Sequence, residues 1–284
     1  MTAPLLRPMI EPVIRNALVE DLGLAGDITS NAVIPSGHRS SVTMATRKKG
    51  VVAGLDAAAL AFELVDPAIT MTRHVDDGAA VSPGTRIATL SGPSRGLLTG
   101  ERTALNILSH LSGIASVTAG IVEAVAGTGA AVVCTRKTTP GLRALEKYAV
   151  RMGGGGNHRF GLFDAVLIKD NHIAIAGDIA IAIERAKKNA GHMVKIEVEV
   201  DTLDQLRTAM AIGVDAVLLD NMGAELLAEA VSIVDGRAIT EASGGITPET
   251  AGALARAGVD LISVGWLTHS APILDIGLDF VSEE

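Results

Sequence analysis

The chain has 284 residues, 48% hydrophobic and 20% charged, which excludes a disordered polymer and suffices for one large α/β domain or a barrel with a smaller partner domain. Aromatic residues make up only 2%, so the core must be aliphatic and a module that stacks bases on rings is hard to build. The net charge of 24 − 32 = −8 argues against nucleic acid or an anionic membrane as partner, and the single Cys134 excludes an intramolecular disulfide and a cysteine-rich metal site, consistent with a reducing compartment.

The opening MTAPLLRPMIEPVIRNALVEDLG has no continuous apolar run, so no secretory signal is expected. Ile10, Ile14, Leu18 and Val19 recur at helical spacing and predict a helix over 8–21, ended by DLG. Short strands follow at 41–46 and 51–52 around RKKG, then an Ala-rich helix at 55–65 and strands at 69–74 and 85–90. Pro83-Gly84 and Gly92-Pro93 mark the turns. A long helix over 97–125 then forms a natural bridge between two domains. Its uncharged stretch 103–122 is long enough to span a bilayer, but Asn106, Ser109, His110, Ser112, Ser116 and Thr118 make it read as the buried helix of a soluble cytoplasmic protein.

After Gly129 strand-like runs at 131–135, 165–168, 195–200, 216–219, 238–241 and 261–264 alternate with helical ones at 140–151, 178–190, 203–212, 225–234 and 248–257. Alternation with short connections predicts parallel strands and right-handed crossovers. The text also repeats itself: DAVLIKDN (164–171) returns as DAVLLDN (215–221), and GVDAVLLD (213–220) as GVDLISVG (258–265). Each unit is a glycine stop, a buried strand, and a polar residue or Gly at the strand's C-terminal end, the way a (β/α) barrel gathers chemistry at one rim. Six strands predict an incomplete barrel; the pattern alone also admits a doubly wound open sheet.

Charge is unevenly placed. Residues 135–172 carry seven Lys and Arg against three Asp and Glu, 7 − 3 = +4, and the rest of the chain 17 − 29 = −12. A basic site in an acidic protein points to a small, strongly anionic ligand. Arg136 and Lys137 follow the first barrel strand and Lys169 ends the second, while His158 and Arg159 follow the four glycines 153–156. Arginine suits bidentate capture of carboxylate or phosphate, lysine supplies a compact charge, and a glycine run lets backbone N–H groups approach an anion. Each piece also has a bland reading: a solvated rim, a mobile loop, a satisfied histidine. Arg143, Lys147 and Arg151, at i, i+4 and i+8 beside Glu146, read as a charged helix face with a structural role. Glu197 and Glu199 share one strand face, and with Asp220 they suit a hard cation such as Mg²⁺ or the hydroxyls of a sugar. Glu197 reads equally well as the buried partner of a barrel-lining Lys. Ser243-Gly244-Gly245 and Gly265, after the last two strands, match a phosphate cradle.

TRKTTPGLRALEKYAVRMGGGGNHRFGLFDAVLIKDNH, preceded by GERTALNILSHLSGIAS and followed by EVEVD, LLDNM, ASGGI and VGWLTHSAPILDIGLD, resembles the quinolinate phosphoribosyltransferase family over essentially the whole chain. The resemblance implies an N-terminal α/β sandwich domain (1–112), with the tail 271–284 packing back on it, and an incomplete α/β barrel (113–270) of the type II phosphoribosyltransferase kind. It implies transfer of phosphoribosyl from phosphoribosyl diphosphate to quinolinate with loss of carbon dioxide, a Mg²⁺ requirement, and a homodimer or higher oligomer. By the same resemblance Arg136, His158, Arg159 and Lys169 hold the pyridine dicarboxylate, Thr135 lies in the substrate-binding motif, and Arg102 of the GERT motif is supplied across the subunit interface. Lys137 matches the lysine near the diphosphate, Glu199 and Asp220 the ribose and metal acids, and Ser243, Gly244, Gly245 and Gly265 the 5′-phosphate loops. Lys169 or Lys137 is the candidate for assisting decarboxylation. The rival readings are a relative of the same fold associated with molybdenum transport and a non-catalytic sugar-phosphate-binding barrel.

Overall fold

The aliphatic runs become two separately packed units in the computed structural model, which describes residues 4–280. The first unit takes the described chain up to Ala119, Thr138–Gly154 and the segment from Thr268 onward; the second is Gly120–Lys137 and Gly155–Leu267.

The first unit opens with α1 (Arg7–Leu22), whose buried stripe is Ile10, Ile14 and Leu18, and α2 (Ile28–Val33), capped by Asp27 accepting the Ser30 N–H at 2.8 Å. Then come β1 (Arg39–Thr46), β2 (Gly50–Val51), α3 (Leu55–Val65), β3 (Thr70–Arg73), β4 (Ala80–Val81) and β5 (Arg86–Pro93). Leu55, Ala57, Ala58, Leu60, Ala61 and Phe62 are all buried on α3, a helix apolar almost all round and therefore a core helix. The long α4 (Ser94–Ala124) is the one helix among the described residues long and apolar enough to cross a membrane. Its Leu97, Ala104, Leu105, Leu108, Leu111, Ile114 and Ala115 are buried inside the protein, which accounts for that apolarity. After α4 and β6 (Ala131–Val133), α5 (Arg143–Met152) returns to this unit, and the chain closes with β12 (Ile276–Phe280). The main sheet is antiparallel in the order β12-β1-β5-β3, with Thr46 opposite Ile276 and Met44 opposite Leu278. Residues 281–284 of the tail lie outside the described residues.

The charged helix face read for α5 is not where the sequence reading put it. Lys147 and Glu146 are both fully buried, Arg143 Nε donates to Thr138 Oγ1 at 3.0 Å, and the Arg151 guanidinium lies 5.5 Å over the Tyr148 ring. Periodicity located the helix but assigned its cations to solvent by default, because Lys is rarely buried.

The second unit continues from β6 through β7 (Val166–Ile168), α6 (Asp170–Ala176), α7 (Ile179–Asn189), β8 (Ile196–Val200), α8 (Leu203–Ile212), β9 (Ala216–Asp220), α9 (Ala224–Val234), β10 (Ile239–Ser243), α10 (Pro248–Ala255) and β11 (Leu261–Ser263). Its six parallel strands stand in the order β6-β11-β10-β9-β8-β7. Written as a ring, that order is sequential, with the last strand beside the first. A doubly wound sheet would reverse direction part-way along, so the architecture is the incomplete barrel. The break falls between β6 and β7, where Gly156 makes an isolated parallel bridge to Val133. Helix starts follow their sequence signals: Thr202 and Gln205 form a capping box on α8, and Pro248 stands in the first turn of α10.

Gly113 and Gly120 sit on the same helix in opposite situations. A Cβ at Gly113 would lie 2.2 Å from Pro272 O, in the segment leading to β12, whereas a Cβ at Gly120 meets nothing within 4 Å. Gly113→Ala is expected to cost about 1–3 kcal/mol by overpacking, and Gly120→Ala to be neutral or stabilising by up to about 1 kcal/mol. Thermal denaturation of the two variants side by side checks the sign of each.

Candidate active site

Every parallel strand of the second unit delivers a polar residue or a glycine at its C-terminal end. Thr135, Arg136 and Lys137 follow β6, Lys169 follows β7, Glu199 is the penultimate residue of β8, Asp220 and Ser243 end β9 and β10, and Gly265 follows β11.

Arg136 and Arg159 are half-buried, and the charge of each bears on the other. Burial first, then the Arg136 charge, lowers the pKa of the Arg159 guanidinium, against the opposing pull of Glu197 and Asp164. Arg159 Nη1 donates to Ala165 O at 2.9 Å, while Arg136 Nε is buried with no hydrogen-bond acceptor among the described residues. Lys169 Nζ donates to Glu199 Oε2, its carboxylate nearly buried and the ammonium half-exposed. The Lys169 N–H is accepted by His172 Nδ1 at 2.9 Å, which starts α6, a helix not anticipated from sequence.

His158 has both ring nitrogens engaged: Nε2 is 2.9 Å from Glu197 Oε2 and 3.7 Å from Glu241 Oε1, and Nδ1 accepts the Arg159 N–H at 2.7 Å. Glu197 is thus a buried partner, of a histidine rather than the lysine considered from sequence. Glu241, 2% exposed, was not singled out; the available signal was a lone acid at the centre of the β10 strand ITEAS. Burial first, then the charge of Glu197, pushes its carboxyl up to about 7, against His158 and a hydrogen bond with Ser263.

Two of the four glycines are taken up by packing and edge bridging: Gly153 is buried where a Cβ would lie 2.4 Å from Ala115 O, and Gly156 N–H donates to Val132 O at 2.7 Å beside β6. The loop after β10 does fit the cradle. Gly244 and Gly245 adopt φ of +103° and +57°, and the Asn221 N–H donates to Ser243 O at 2.9 Å. Asn221 Nδ2 in turn donates to Asp220 Oδ2 at 2.7 Å. A Cβ at Gly265 would lie 2.9 Å from Lys137 Cδ, so the glycine makes room for that exposed lysine. Thr135 Oγ1 accepts the Lys137 N–H at 3.0 Å, shaping the turn that presents both cations. Arg102 lies exposed on α4 of the first unit.

Glu199 and Asp220 are hard oxygen donors at the ends of adjacent strands. They match the preference of Mg²⁺ for one or two protein carboxylates with water and phosphate oxygens completing the shell.

The sequence matches the family quinolinate phosphoribosyl transferase, N-terminal domain, over residues 27–112, and its C-terminal domain over 114–279. It is 48% identical over 271 residues, 94% of this chain and 95% of the relative, to nicotinate-nucleotide pyrophosphorylase [carboxylating] of Mycobacterium leprae. The structure is similar to NadC from Streptococcus pyogenes (TM-score 0.94, 40% identity, 99% of this chain and 100% of that one). It is also similar to the nicotinate-nucleotide pyrophosphorylase from Francisella tularensis (TM-score 0.93, 40% identity, 99% and 98%). These matches set aside the molybdenum-associated and non-catalytic readings.

Gly244→Ala would place a Cβ 2.1 Å from Asn221 Oδ1 at a backbone angle that side chains rarely adopt. Inorganic phosphate is expected to raise the melting temperature of the unaltered protein and to leave that of the variant unchanged, measured across a phosphate titration.

Proposed function

We propose that this chain, which belongs to the quinolinate phosphoribosyltransferase family, grips quinolinate with Arg136, Arg159 and Lys169 and phosphoribosyl diphosphate with Lys137, Glu199, Asp220 and the Ser243, Gly244, Gly245 and Gly265 loops. The activity is the family's: quinolinate and phosphoribosyl diphosphate give nicotinate mononucleotide, diphosphate and carbon dioxide, a step of NAD biosynthesis. The observation that carries the site assignment is the Arg136–Arg159 pair. Two half-buried guanidiniums, Arg136 with its Nε buried and without an acceptor among the described residues, are a standing cost, which a dianion such as a pyridine dicarboxylate offsets.

The residue types follow from the chemistry. The pyridine nitrogen is itself the nucleophile, so no Ser or Cys is needed. The protein has to align that nitrogen with the anomeric carbon and balance charge as diphosphate departs. The Lys169–Glu199 ion pair supports an exchange of partners. Quinolinate draws the ammonium away, and the Glu199 carboxylate is left facing the cationic character that grows at the ribose. Asp220, steadied by Asn221, orients the ribose hydroxyls, and Lys137 meets the leaving diphosphate. Glu199 and Asp220 would hold Mg²⁺, which neutralises diphosphate oxygens when bound. After ring alkylation the 2-carboxylate neighbours a cationic nitrogen, and loss of carbon dioxide leaves a ring carbanion that Lys169 or Lys137 would stabilise or protonate. The exposed Arg102 is assigned to the neighbouring subunit's pocket in a cytoplasmic homodimer or larger oligomer.

The test is an assay with quinolinate, phosphoribosyl diphosphate and Mg²⁺ that follows nicotinate mononucleotide and carbon dioxide together. Both are expected to form, with no product when nicotinate replaces quinolinate. Lys169→Met should lower kcat/KM at least about a hundredfold, and a chelator should abolish turnover until Mg²⁺ is returned. Mixing Arg102→Ala with Lys169→Ala chains should restore part of the activity through hybrid oligomers. Absence of rescue despite proven subunit exchange rules out a shared site.

A further inference from the structure

The second unit buries two carboxylates that the assignment above uses neither as ligands nor as catalysts. Glu197 on β8 is 8% exposed and Glu241 on β10 only 2%. β9 lies between their strands, so the two side chains can approach each other only across the concave face of the sheet. Their carboxylates and His158 each place one atom within 4.8 Å of the others. Oε1 of Glu197 and of Glu241 lie buried without hydrogen-bond donors among the described residues.

The protonation of this trio can be read from its donors. The Arg159 N–H points at His158 Nδ1 at 2.7 Å. A ring nitrogen that accepts a backbone N–H carries no proton of its own, so the imidazole is the neutral form with hydrogen on Nε2. That hydrogen is donated to Glu197 Oε2 at 2.9 Å, and Glu241 Oε1 stands 3.7 Å from the same nitrogen. The same donor pattern counts against a metal at this trio. Ligation through Nε2 would put the ring proton on Nδ1, where the Arg159 N–H already points.

We propose that Glu241 is a positioning residue for the dicarboxylate substrate: as a neutral carboxyl it leaves the Glu197–His158 hydrogen bond facing no second buried anion, and so steadies the backbone from which Arg159 reaches its ligand. The proposal rests on the assignment of Arg159 to quinolinate. Burial and the Glu197 charge push the Glu241 carboxyl up, to about 7 even against a charged His158, so beside a neutral ring it keeps its proton at least as well. The titratable groups acting on Glu241 are Glu197 from β8 and His158 from the loop after α5; Ser263 on β11 adds a hydroxyl, and Arg159 acts on Glu197. Once Glu241 gives up its proton to solvent, two buried carboxylates face one neutral ring that has a single proton to donate, and their repulsion loosens the chain that anchors the Arg159 backbone. Binding is therefore intact below about pH 7 and weakens as pH rises through it.

Glu241→Gln keeps the shape and fixes the neutral state. In the unaltered enzyme the KM for quinolinate should rise up to about tenfold per pH unit above about pH 7, with kcat changing less than about threefold. In E241Q the KM should stay flat over the same range near its low-pH value. A KM in E241Q that climbs with pH as in the unaltered enzyme overturns the proposal, as does a loss of kcat at unchanged KM. A second measurement needs no turnover. Nitrogen-15 spectra of histidine-labelled, substrate-free protein near pH 6.5, with His158 assigned through its Asn variant, should show a neutral ring protonated at Nε2. An imidazolium or Nδ1-protonated pattern overturns it. Failure of the site assignment would appear instead as an unaltered KM in Arg159→Ala, with the His158 spectrum as expected.

Discussion

Like charges brought together in a half-buried pocket set the terms for the rest of this active site. Burial is the larger cost to the Arg159 charge, and the Arg136 charge adds to it. Acids meet part of that cost locally. Glu197 and Asp164 favour the charged form of Arg159, and Glu199 takes Lys169. The +4 excess of residues 135–172 is therefore balanced largely by strand residues outside that window, including Glu197, Glu199 and Glu241. The acidity of the whole chain and the basicity of its pocket are two sides of one requirement.

Strand order decides which acids can serve. A sequential ring puts β8, β9 and β10 side by side, opposite the edge from which Arg136 and Lys137 emerge. Within each strand, alternation sends Glu197 and Glu199 to the same face two residues apart. One pairs with His158 deeper in the strand and the other with Lys169 nearer its end. Two layers of chemistry thus come from a single IEVEV run. At the break between β6 and β7 the loop residue Gly156 pairs with Val133 on the open edge of β6.

All six barrel strands and five of the helices that follow them were legible in the sequence, because buried parallel strands and amphipathic helices have different periods. The strand-end residues were legible for the same reason: a polar group closing an apolar run has little to do with the core. What escaped detection lacked local signal. β12 and β4 are five and two residues long and exist through pairing with distant segments, and α2 is a six-residue helix fixed by Asp27. For Gly153 and Gly156 the packing role was not legible, since a sequence shows that a Cβ is missing but not which neighbour requires it. Buried Lys147 and Glu241 were hidden by the strongest compositional rule there is, that charged residues face water.

Those buried charges share a physical logic. In the first unit Glu146, with no exposed surface, accepts from the Thr139 N–H at 3.0 Å and pairs with His110 Nε2 at 2.9 Å, fixing the chain two residues after Lys137. In the second unit Glu197 accepts from His158, which in turn accepts from the Arg159 N–H. A loop has no ladder to satisfy its backbone, so a buried N–H in it needs a partner placed on purpose, and a carboxylate or imidazole provides one. Hydrogen bonds to charged groups contribute about 1.5–3 kcal/mol each, whereas every additional unpaired buried ion costs several kcal/mol. A neutral imidazole between one carboxylate and one carboxyl buries a single net charge. An imidazolium between two carboxylates would bury three ions to make the same contacts. The neutral chain is thus the cheaper way to hold Arg159 still, and it works only while one of the two glutamates keeps its proton.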